Sequence, residues 1–318
     1  MKPRLTLLCC SLALLPSLAA ASCGASFCSV NSNWTTEGAL TGATDSFDVR
    51  FESIRQDQPM HESDKVAVGQ IRGHHDEVST DNRNLVASYS HSFDSGLGLT
   101  ISANVVDRKH HHIHHHHGQA LQDRWNFTEL GDVRVLGRYQ LSGSVDPLSP
   151  TYGGVSFGVK LPTGKFDVAD SAGAKAERSL QPGSGTTDLL VGGFYHQSLT
   201  AHDASWFVQA LYQHAAKSRD DYRPGAQLGI DLGARKGFAG PVALLAQLNY
   251  VVRGADSGAE AEPHSSGGRY LYASPGISYA LPGQLQLYAF LQVPVYRHVK
   301  GVQLTADRAL VVGLSGQL

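Results

Sequence analysis

Segments of about ten residues in which apolar and polar side chains alternate recur along the chain from residue 46 onward. In SFDVRFES, for example, Phe47, Val49 and Phe51 alternate with charged residues. Strands of soluble proteins average about five or six residues, whereas a strand that crosses a bilayer at a tilt needs about ten. Because lipid offers no hydrogen-bond partner to an open sheet edge, such strands must close on themselves. The pattern therefore predicts an all-β fold, a transmembrane antiparallel β-barrel of the bacterial outer-membrane type.

The alternation and the turns between segments predict about twelve strands. Their approximate spans are 46–55, 84–93, 97–106, 131–141, 153–162, 187–197, 205–214, 225–235, 241–252, 269–279, 285–296 and 307–317. Short turns such as DSGLG, TAHDA, KGFAG and LPGQ alternate with longer polar loops. We expect those loops near 56–83, 107–130, 163–186, 215–224, 252–268 and 297–306. Since the long loops of outer-membrane barrels face the cell exterior, residues 46–318 are predicted to form the barrel, with both ends in the periplasm.

The first 21 residues have the organisation of an export signal. A short basic start precedes an apolar run from Leu5 to Leu18, and the small residues Ala19-Ala20-Ala21 follow it. That run is too short to cross a bilayer comfortably as a helix. We therefore expect a signal peptide over 1–21, cleavage before Ser22 and delivery to the outer membrane. Attachment of lipid at Cys23 is the alternative.

Residues 22–45 are predicted to form a periplasmic N-terminal segment that carries Cys23 and Cys28. Their close spacing in an oxidising compartment favours a local disulfide between them, and a redox or metal-binding pair is the alternative. Charged residues make up only 17% of the chain, and the net charge is −2. Outer-membrane lipid is therefore an expected partner, whereas nucleic acid is not.

Several stretches resemble the outer-membrane transporter family named for the meta-pathway of phenol degradation. They are GDVRVLGRYQL, GVSFGVKLPTGKFD with its Leu161-Pro162-Thr163-Gly164 turn, PGSGTTDLLVGGFY and SPGISYAL, in that order. The resemblance covers roughly residues 45 to 318. It implies a β-barrel in the outer membrane with a transport role, and it implies nothing for the histidine run or for CGASFC.

A run of histidines, HHHIHHHH, occupies residues 110–117 within the second long loop. Neutral imidazole is a ligand for Cu(II), Ni(II) and Zn(II), and the first long loop adds a further cluster, HHDE. The candidate metal ligands are His110, His111, His112, His114, His115, His116, His117, His74, His75, Asp76 and Glu77, and Asp107 and Asp123 flank the run. Because structural metal sites have defined spacing, we expect weak, plural, exchangeable sites and no required cofactor. The alternative is a low-complexity polar loop.

Charged residues on the inward face of the predicted strands form the second candidate site. They are Asp48, Arg50, Glu52, Asp132, Arg134, Arg138, Asp231, Arg235 and Arg253, with Lys160 as a further cation. Charges of both signs can pair and fill a narrow barrel, or they can line a polar path through it. The pairing arrangement is the expected one, because a barrel of about twelve strands is not wide.

Aromatic residues near strand ends are expected to form interfacial girdles on the lipid-facing surface. They are Trp125, Phe127, Tyr139, Tyr195, Trp206, Tyr212, Tyr250 and Tyr279. The same alternation places Tyr288, Gln292 and Tyr296 on the inward face of the strand LQLYAFLQVPVY.

Three functions are compatible with these features. The first is an outer-membrane channel or transporter for a small solute, with a histidine-rich extracellular loop that binds divalent metal ions. The second is a non-conducting surface barrel whose loops bind metal or a partner. The third is a lipid-modifying enzyme that uses a neighbouring pair such as Ser90 and His91, or His196 and Ser198. We expect no enzyme, because the sequence predicts neither a phosphate-binding glycine loop nor a GxSxG nucleophile elbow, which needs a strand-to-helix turn.

Overall fold

The computed structural model describes residues 44–71, 76–116 and 119–318, with the backbone alone at 76, 114–116 and 119–120. The predicted signal segment 1–21 and the Cys23–Cys28 pair lie outside these residues, so both stay predictions. Among the described residues, no helix is long and apolar enough to cross a membrane. Two short 3₁₀ helices, Arg178–Leu180 and Thr200–His202, lie between strands.

The described residues form fourteen strands. They are β1 Thr44–His61, β2 Asp64–Lys65, β3 Asp76–Ser92, β4 Leu97–His116, β5 Gln119–Leu130, β6 Val133–Ser144, β7 Thr151–Leu161, β8 Asp188–Leu199, β9 Ala204–Ala215, β10 Gln227–Gly237, β11 Val242–Arg253, β12 Gly268–Leu281, β13 Leu285–Val299 and β14 Val302–Gln317. Twelve of them, all except β2 and β5, pair in antiparallel order around a closed ring. The ring closes where Phe51 of β1 lies opposite Leu85 of β3 on one side and opposite Val312 of β14 on the other. The predicted twelve-stranded barrel is therefore confirmed.

Strand alternation divides the barrel into an apolar outer surface and a polar interior. On β1, Phe51 is 43% exposed to the outside, whereas the next residue, Glu52, is only 6% exposed. Equivalent outward apolar side chains, such as Leu85, Ile101 and Leu310, lie exposed on neighbouring strands. An apolar band of this kind is what the hydrocarbon core of a membrane requires.

Several strands continue beyond this apolar band at the end that carries the long connections. Outward positions become charged there, with Arg55, Asp81 and Lys109 on β1, β3 and β4. The predicted polar loop near 107–130 is wrong as an unpaired connection, because β4 extends to His116 and β5 covers Gln119–Leu130. The predicted loop over 297–306 is wrong as well, since β13 and β14 meet at a two-residue turn in which Gly301 has a φ of +67°. Paired strands satisfy their backbone groups in water as they do in lipid, so nothing requires them to end at the membrane surface.

Strand β4 changes its partner at the break between β5 and β6. Its residues 105–116 pair with β5, whereas residues 97–102 pair with β6. Gly131 lies at the break and donates its N–H to the carbonyl of Asn104 at 2.8 Å. A Cβ at this position would lie 2.4 Å from the side-chain oxygen of Asn104, so any other residue here would have to displace that side chain.

The predicted inward orientation of Tyr296 is wrong because of a local irregularity in β13. A β-bulge in β13 places Tyr296 opposite Leu271, whereas Pro294 lies opposite Tyr272. One extra residue reverses every later side chain on a strand. Tyr296 consequently lies on the outer surface and is 46% exposed.

Replacing Ile101 by arginine should destabilise the barrel by about 2–4 kcal/mol, because a charge then faces hydrocarbon at the middle of the band. The matched change Ile113→Arg, outward on the same strand beyond the band, should cost about 0–1 kcal/mol. Denaturant unfolding of the barrel in lipid vesicles, followed by tryptophan fluorescence, measures both. Equal effects of the two substitutions would contradict the placement of the band.

Candidate functional site

The inward charges of β1 pair with one another along the wall. Arg50 contacts Asp48 at 3.2 Å and Glu52 at 2.8 Å, because residues two apart on a strand share a face. Asp48 also accepts a hydrogen bond from the hydroxyl of Tyr288 at 2.6 Å. These charges are satisfied on the barrel wall and do not have to bridge the lumen to find partners.

A second group of charges forms where β6, β7 and β8 lie side by side. Lys160 contacts Asp132 at 2.6 Å and Asp188 at 3.5 Å, and it donates to the hydroxyl of Ser184 and to the carbonyl of Thr186. We call these five residues the Lys160 cluster. Lys160 and Asp188 are buried, at 5% and 1% exposure, and the side chain of Asp132 is 8% exposed. The ammonium group therefore neutralises two carboxylates that are largely shielded from water.

The Lys160 cluster joins stretches that lie far apart in the sequence. The carboxylate of Asp132 accepts from the backbone N–H groups of Gly164 and Ser184, each at 3.0 Å. Thr163 accepts from the N–H of Val133 at 2.8 Å. The GD, LPTG and PGSGTTD stretches therefore meet at one point. Sequence reasoning missed Ser184, Thr186 and Asp188, and their place in PGSGTTD, one of the stretches that carry the family resemblance, is the signal that could have found them.

Two arginines of β6 reach across part of the lumen to β9. Arg134 donates to Gln213 at 3.0 Å, and Arg138 donates to Gln209 at 2.8 Å. The guanidinium of Arg138 also lies 4.9 Å from the ring centre of Phe194. Arg134 is solvent-exposed although it faces inward, so water reaches the interior at this level.

The remaining predicted lumen charges occupy different heights. Asp231 accepts from Asn249 and Gln209, each at 2.8 Å, within the barrel. Arg235 pairs with Asp203 at 2.8 Å in a short turn. Arg253 contacts Asp256 at 2.7 Å at the opposite end, beside the long connections. Arg235 and Arg253 therefore mark the two mouths of the barrel.

The connection between β7 and β8, residues 163–186, lies against the inner face of the barrel; we call it the inner segment. Leu180 is fully buried among Val106, Phe127 and Leu304. Arg108 of β4 donates to the carbonyl of Leu180 at 2.6 Å. The inner segment thus narrows the end of the barrel that carries the long connections.

Trp125 and Phe127 do not belong to an outer girdle, contrary to the prediction. Both side chains face inward and are buried, at 5% and 8% exposure. The indole N–H of Trp125 donates to the carbonyl of Ala174 in the inner segment at 3.0 Å. Tyr139, Tyr212 and Tyr279, by contrast, are exposed on the outer surface as expected.

Residues 107–116 of β4 and 119–130 of β5 form a hairpin, which we call the histidine hairpin. The three described histidine side chains of the run divide between its two faces. His110 and His112 face inward and are each 3% exposed, whereas His111 points to the other face. Strand geometry explains the division, since successive side chains alternate. His74, His75 and His117, and the side chains of Asp76 and His114 to His116, lie outside the described residues.

Hydrogen bonds connect the two inward imidazoles to their neighbours. The hydroxyl of Thr80 lies 2.8 Å from His110 Nδ1, and His110 Nε2 lies 3.3 Å from His112 Nδ1. His112 Nε2 lies 3.2 Å from the carboxylate of Asp123. The indole of Trp125 covers both rings, with centroid distances of 5.8 Å and 4.9 Å.

Burial lowers the pKa of His110 well below its usual value, and the nearby His112 and Arg108 lower it further. His110 is therefore neutral near pH 7, which is the form that binds metal ions. Within the part of the chain that the structure describes, no group of three or more His, Cys, Asp or Glu residues is arranged to hold an ion.

The neighbouring serine and histidine residues considered for lipid chemistry do not form pairs. Ser90 contacts Thr100 at 2.8 Å, whereas His91, on the opposite face of β3, contacts Asp45 at 2.6 Å. His196 is buried beside Tyr152. Each of these contacts joins side chains of neighbouring strands.

Replacing Lys160 by methionine should destabilise the barrel by about 3–5 kcal/mol, because Asp132 and Asp188 lose their buried counter-charge. Lys165→Met removes an exposed partner of Glu129 and should cost about 0–1 kcal/mol. Denaturant unfolding in vesicles compares the two. If the triple variant K160M/D132N/D188N is no more stable than K160M, the loss does not come from uncompensated charge.

Comparison with known proteins agrees with this architecture. The family model described as "Putative MetA-pathway of phenol degradation" matches residues 117–304. No curated protein sequence matches the chain. The COG4313 outer membrane channel from Pseudomonas putida F1 superposes with a TM-score of 0.62 at 13% identity, covering 88% of this chain and 97% of that one.

Two porins give weaker similarity. The NanC porin has a TM-score of 0.47 at 11% identity and covers 86% of this chain and 100% of its own. The KdgM porin has a TM-score of 0.41 at 12% identity, with 86% and 99% coverage. The closed ring, its apolar band and the family match together place the protein in the bacterial outer membrane. The chain belongs to the phenol-degradation family whose model matches it, and its fold is the twelve-stranded outer-membrane barrel.

Proposed function

We propose that the protein is a channel that carries a small solute across the outer membrane, and that its histidine hairpin binds divalent transition metal ions at the outer mouth. The observation that carries the channel half is the water-exposed Arg134 in the interior of a closed barrel. The superposition on a protein described as an outer membrane channel supports it. The long connections face the cell exterior, as in other barrels of this type.

The arrangement of charges favours a path over a filled interior. Arg50 and Lys160 find their carboxylates on the same strand or on adjacent strands, so pairing does not close the lumen. Arg134 and Arg138 lie four residues apart on β6, about 13 Å along the strand. A solute that passes this wall meets two guanidinium groups in succession, together with the amides of Gln209 and Gln213.

The inner segment favours the second candidate, a non-conducting surface barrel. Its Leu180 is buried in an apolar cluster at the mouth, and Arg108 and Trp125 hold its backbone. A barrel that shows neither conductance in planar bilayers nor solute entry in liposome swelling is a scaffold.

The proposed metal binding is supported by the composition of the histidine run and by its position beyond the apolar band. Seven histidines occupy residues 110–117, and the hairpin that carries them projects beyond the apolar band. Imidazoles at this position raise the ion concentration at the entrance. With few ligands per ion, binding is exchangeable, which suits capture.

Replacing Arg134 and Arg138 by glutamine should make the channel less selective for anions. A unit charge about 8 Å from a passing ion through water contributes about 0.5 kcal/mol, or about a twofold change in relative permeability. The reversal potential in a KCl gradient measures this change. Arg235→Gln, at the short-turn mouth, is the matched control and should have a smaller effect. No shift in the double variant would remove these arginines from the path.

Replacing the seven histidines of 110–117 by asparagine should abolish most Zn²⁺ binding, measured by calorimetry on the refolded barrel, because amide side chains are poor zinc ligands. Conductance in KCl should stay unchanged, since the substituted part of β4 lies beyond the apolar band and residues 97–102, which pair with β6 in the ring, are untouched. Undiminished heat of zinc binding would contradict a role for the run.

A further inference from the structure

We propose that His110 Nε2 and His112 Nδ1 together bind one divalent ion with a tetrahedral preference, of which Zn²⁺ is the type, on the inner face of the histidine hairpin. This refines the metal-binding half of the proposed function. It assigns the ordered site to two inward residues of the run, and it excludes His111 between them.

The spacing of the two nitrogens is that of two ligands on one ion. They lie 3.3 Å apart. Zinc–nitrogen bonds of about 2.0–2.1 Å at a tetrahedral angle also place two ligand nitrogens about 3.3 Å apart. Residues two apart on a strand share a face, so β4 itself brings the two imidazoles together.

The ring nitrogens that would not bind the ion, His110 Nδ1 and His112 Nε2, have hydrogen-bond partners of the kind that orient metal-binding imidazoles. A carboxylate only accepts hydrogen bonds, so the contact of Asp123 with His112 Nε2 places the hydrogen there and leaves Nδ1 with its lone pair. Pairs of this kind fix the tautomer of a ligand and increase its basicity. Thr80 has the corresponding place at His110 Nδ1.

Binding requires only a change of tautomer. Without an ion, His110 Nε2 carries the hydrogen that lies between the two rings, and the hydroxyl of Thr80 donates to Nδ1. When an ion binds, that hydrogen moves to Nδ1, and the hydroxyl of Thr80 turns to accept it, because a hydroxyl both donates and accepts. The ion then takes the lone pairs of His110 Nε2 and His112 Nδ1, and no net proton is released.

The surroundings supply charge and access. Glu77 lies opposite His112 on β3, and Asp123 lies opposite it on β5, so a carboxylate lies in register on each side. The side chain of Asp123 remains 33% exposed and marks the route from solvent. Water fills the coordination positions that protein leaves open, which makes the ion exchangeable.

Trp125 provides a local probe, because its ring lies 4.9 Å from that of His112. The chain has three tryptophans, and the changes Trp34→Phe and Trp206→Phe make Trp125 the single tryptophan. In this background, Cu²⁺ bound at the site should quench the fluorescence of Trp125. Zn²⁺ should reverse the quenching because it competes for the same two nitrogens. His110→Asn and His112→Asn should each raise the Cu²⁺ concentration for half-quenching at least about tenfold, since loss of a group that only orients a ligating imidazole already costs about 10–100-fold.

His111→Asn, on the other face of the same strand, is the matched control and should change the half-quenching concentration less than about twofold. Asp123→Asn should raise it about tenfold, and it serves as the test if an inward histidine variant fails to refold by circular dichroism. Equal effects of His111→Asn and His112→Asn, or no effect of Asp123→Asn, would overturn the assignment. Absent quenching would also overturn it. If zinc binding persists in calorimetry although quenching is absent, metal binding by the histidine hairpin stands and only the His110–His112 site is wrong. If zinc binding is absent as well, both proposals are wrong.

Discussion

The requirement that every backbone group in the bilayer find a hydrogen-bond partner governs the rest of this structure. It forces β1 onto β14 and so closes the ring. Once the ring is closed, the pleat assigns each side chain to lipid or to the interior. Phe51 and Glu52 are neighbours in sequence, and closure sends one into hydrocarbon and the other into the polar interior.

The same pleat operates beyond the membrane, where no lipid enforces it. Because β4 continues past the apolar band and pairs with β5, residues 110–116 of the histidine run belong to a strand. His110 and His112 lie beneath Trp125, while His111 is turned away. Composition makes the histidines of the run equivalent as ligands, whereas the three that the structure describes differ in the face they occupy and in burial.

The break between β5 and β6 gives the family stretches a common structural role. At that point β4 changes partner, and Asp132 is left to accept backbone N–H groups from the two ends of the inner segment. Lys160 neutralises this carboxylate within the barrel wall. Gly164 is needed there, since a Cβ would lie 2.7 Å from the carbonyl carbon of Gly131. The Lys160 cluster therefore anchors both ends of the segment that narrows the mouth.

Sequence alone determined the twelve strands that close the ring and the inward set from Asp48 to Asp231, because a period of two is a local property that needs no knowledge of neighbours. Prediction from sequence failed where the orientation of a side chain depends on another segment of the chain. The bulge that turns Tyr296 outward depends on the partner strand, and the burial of Trp125 depends on the inner segment lying against it. The length of the strands beyond the membrane was likewise beyond sequence reasoning, since polar residues suit a loop and a solvated hairpin equally well. Only tertiary contacts brought Asp132, Lys160 and Ser184 together, or joined Thr80 and Asp123 to the two histidines between them, because these residues come from segments that the chain itself does not make adjacent.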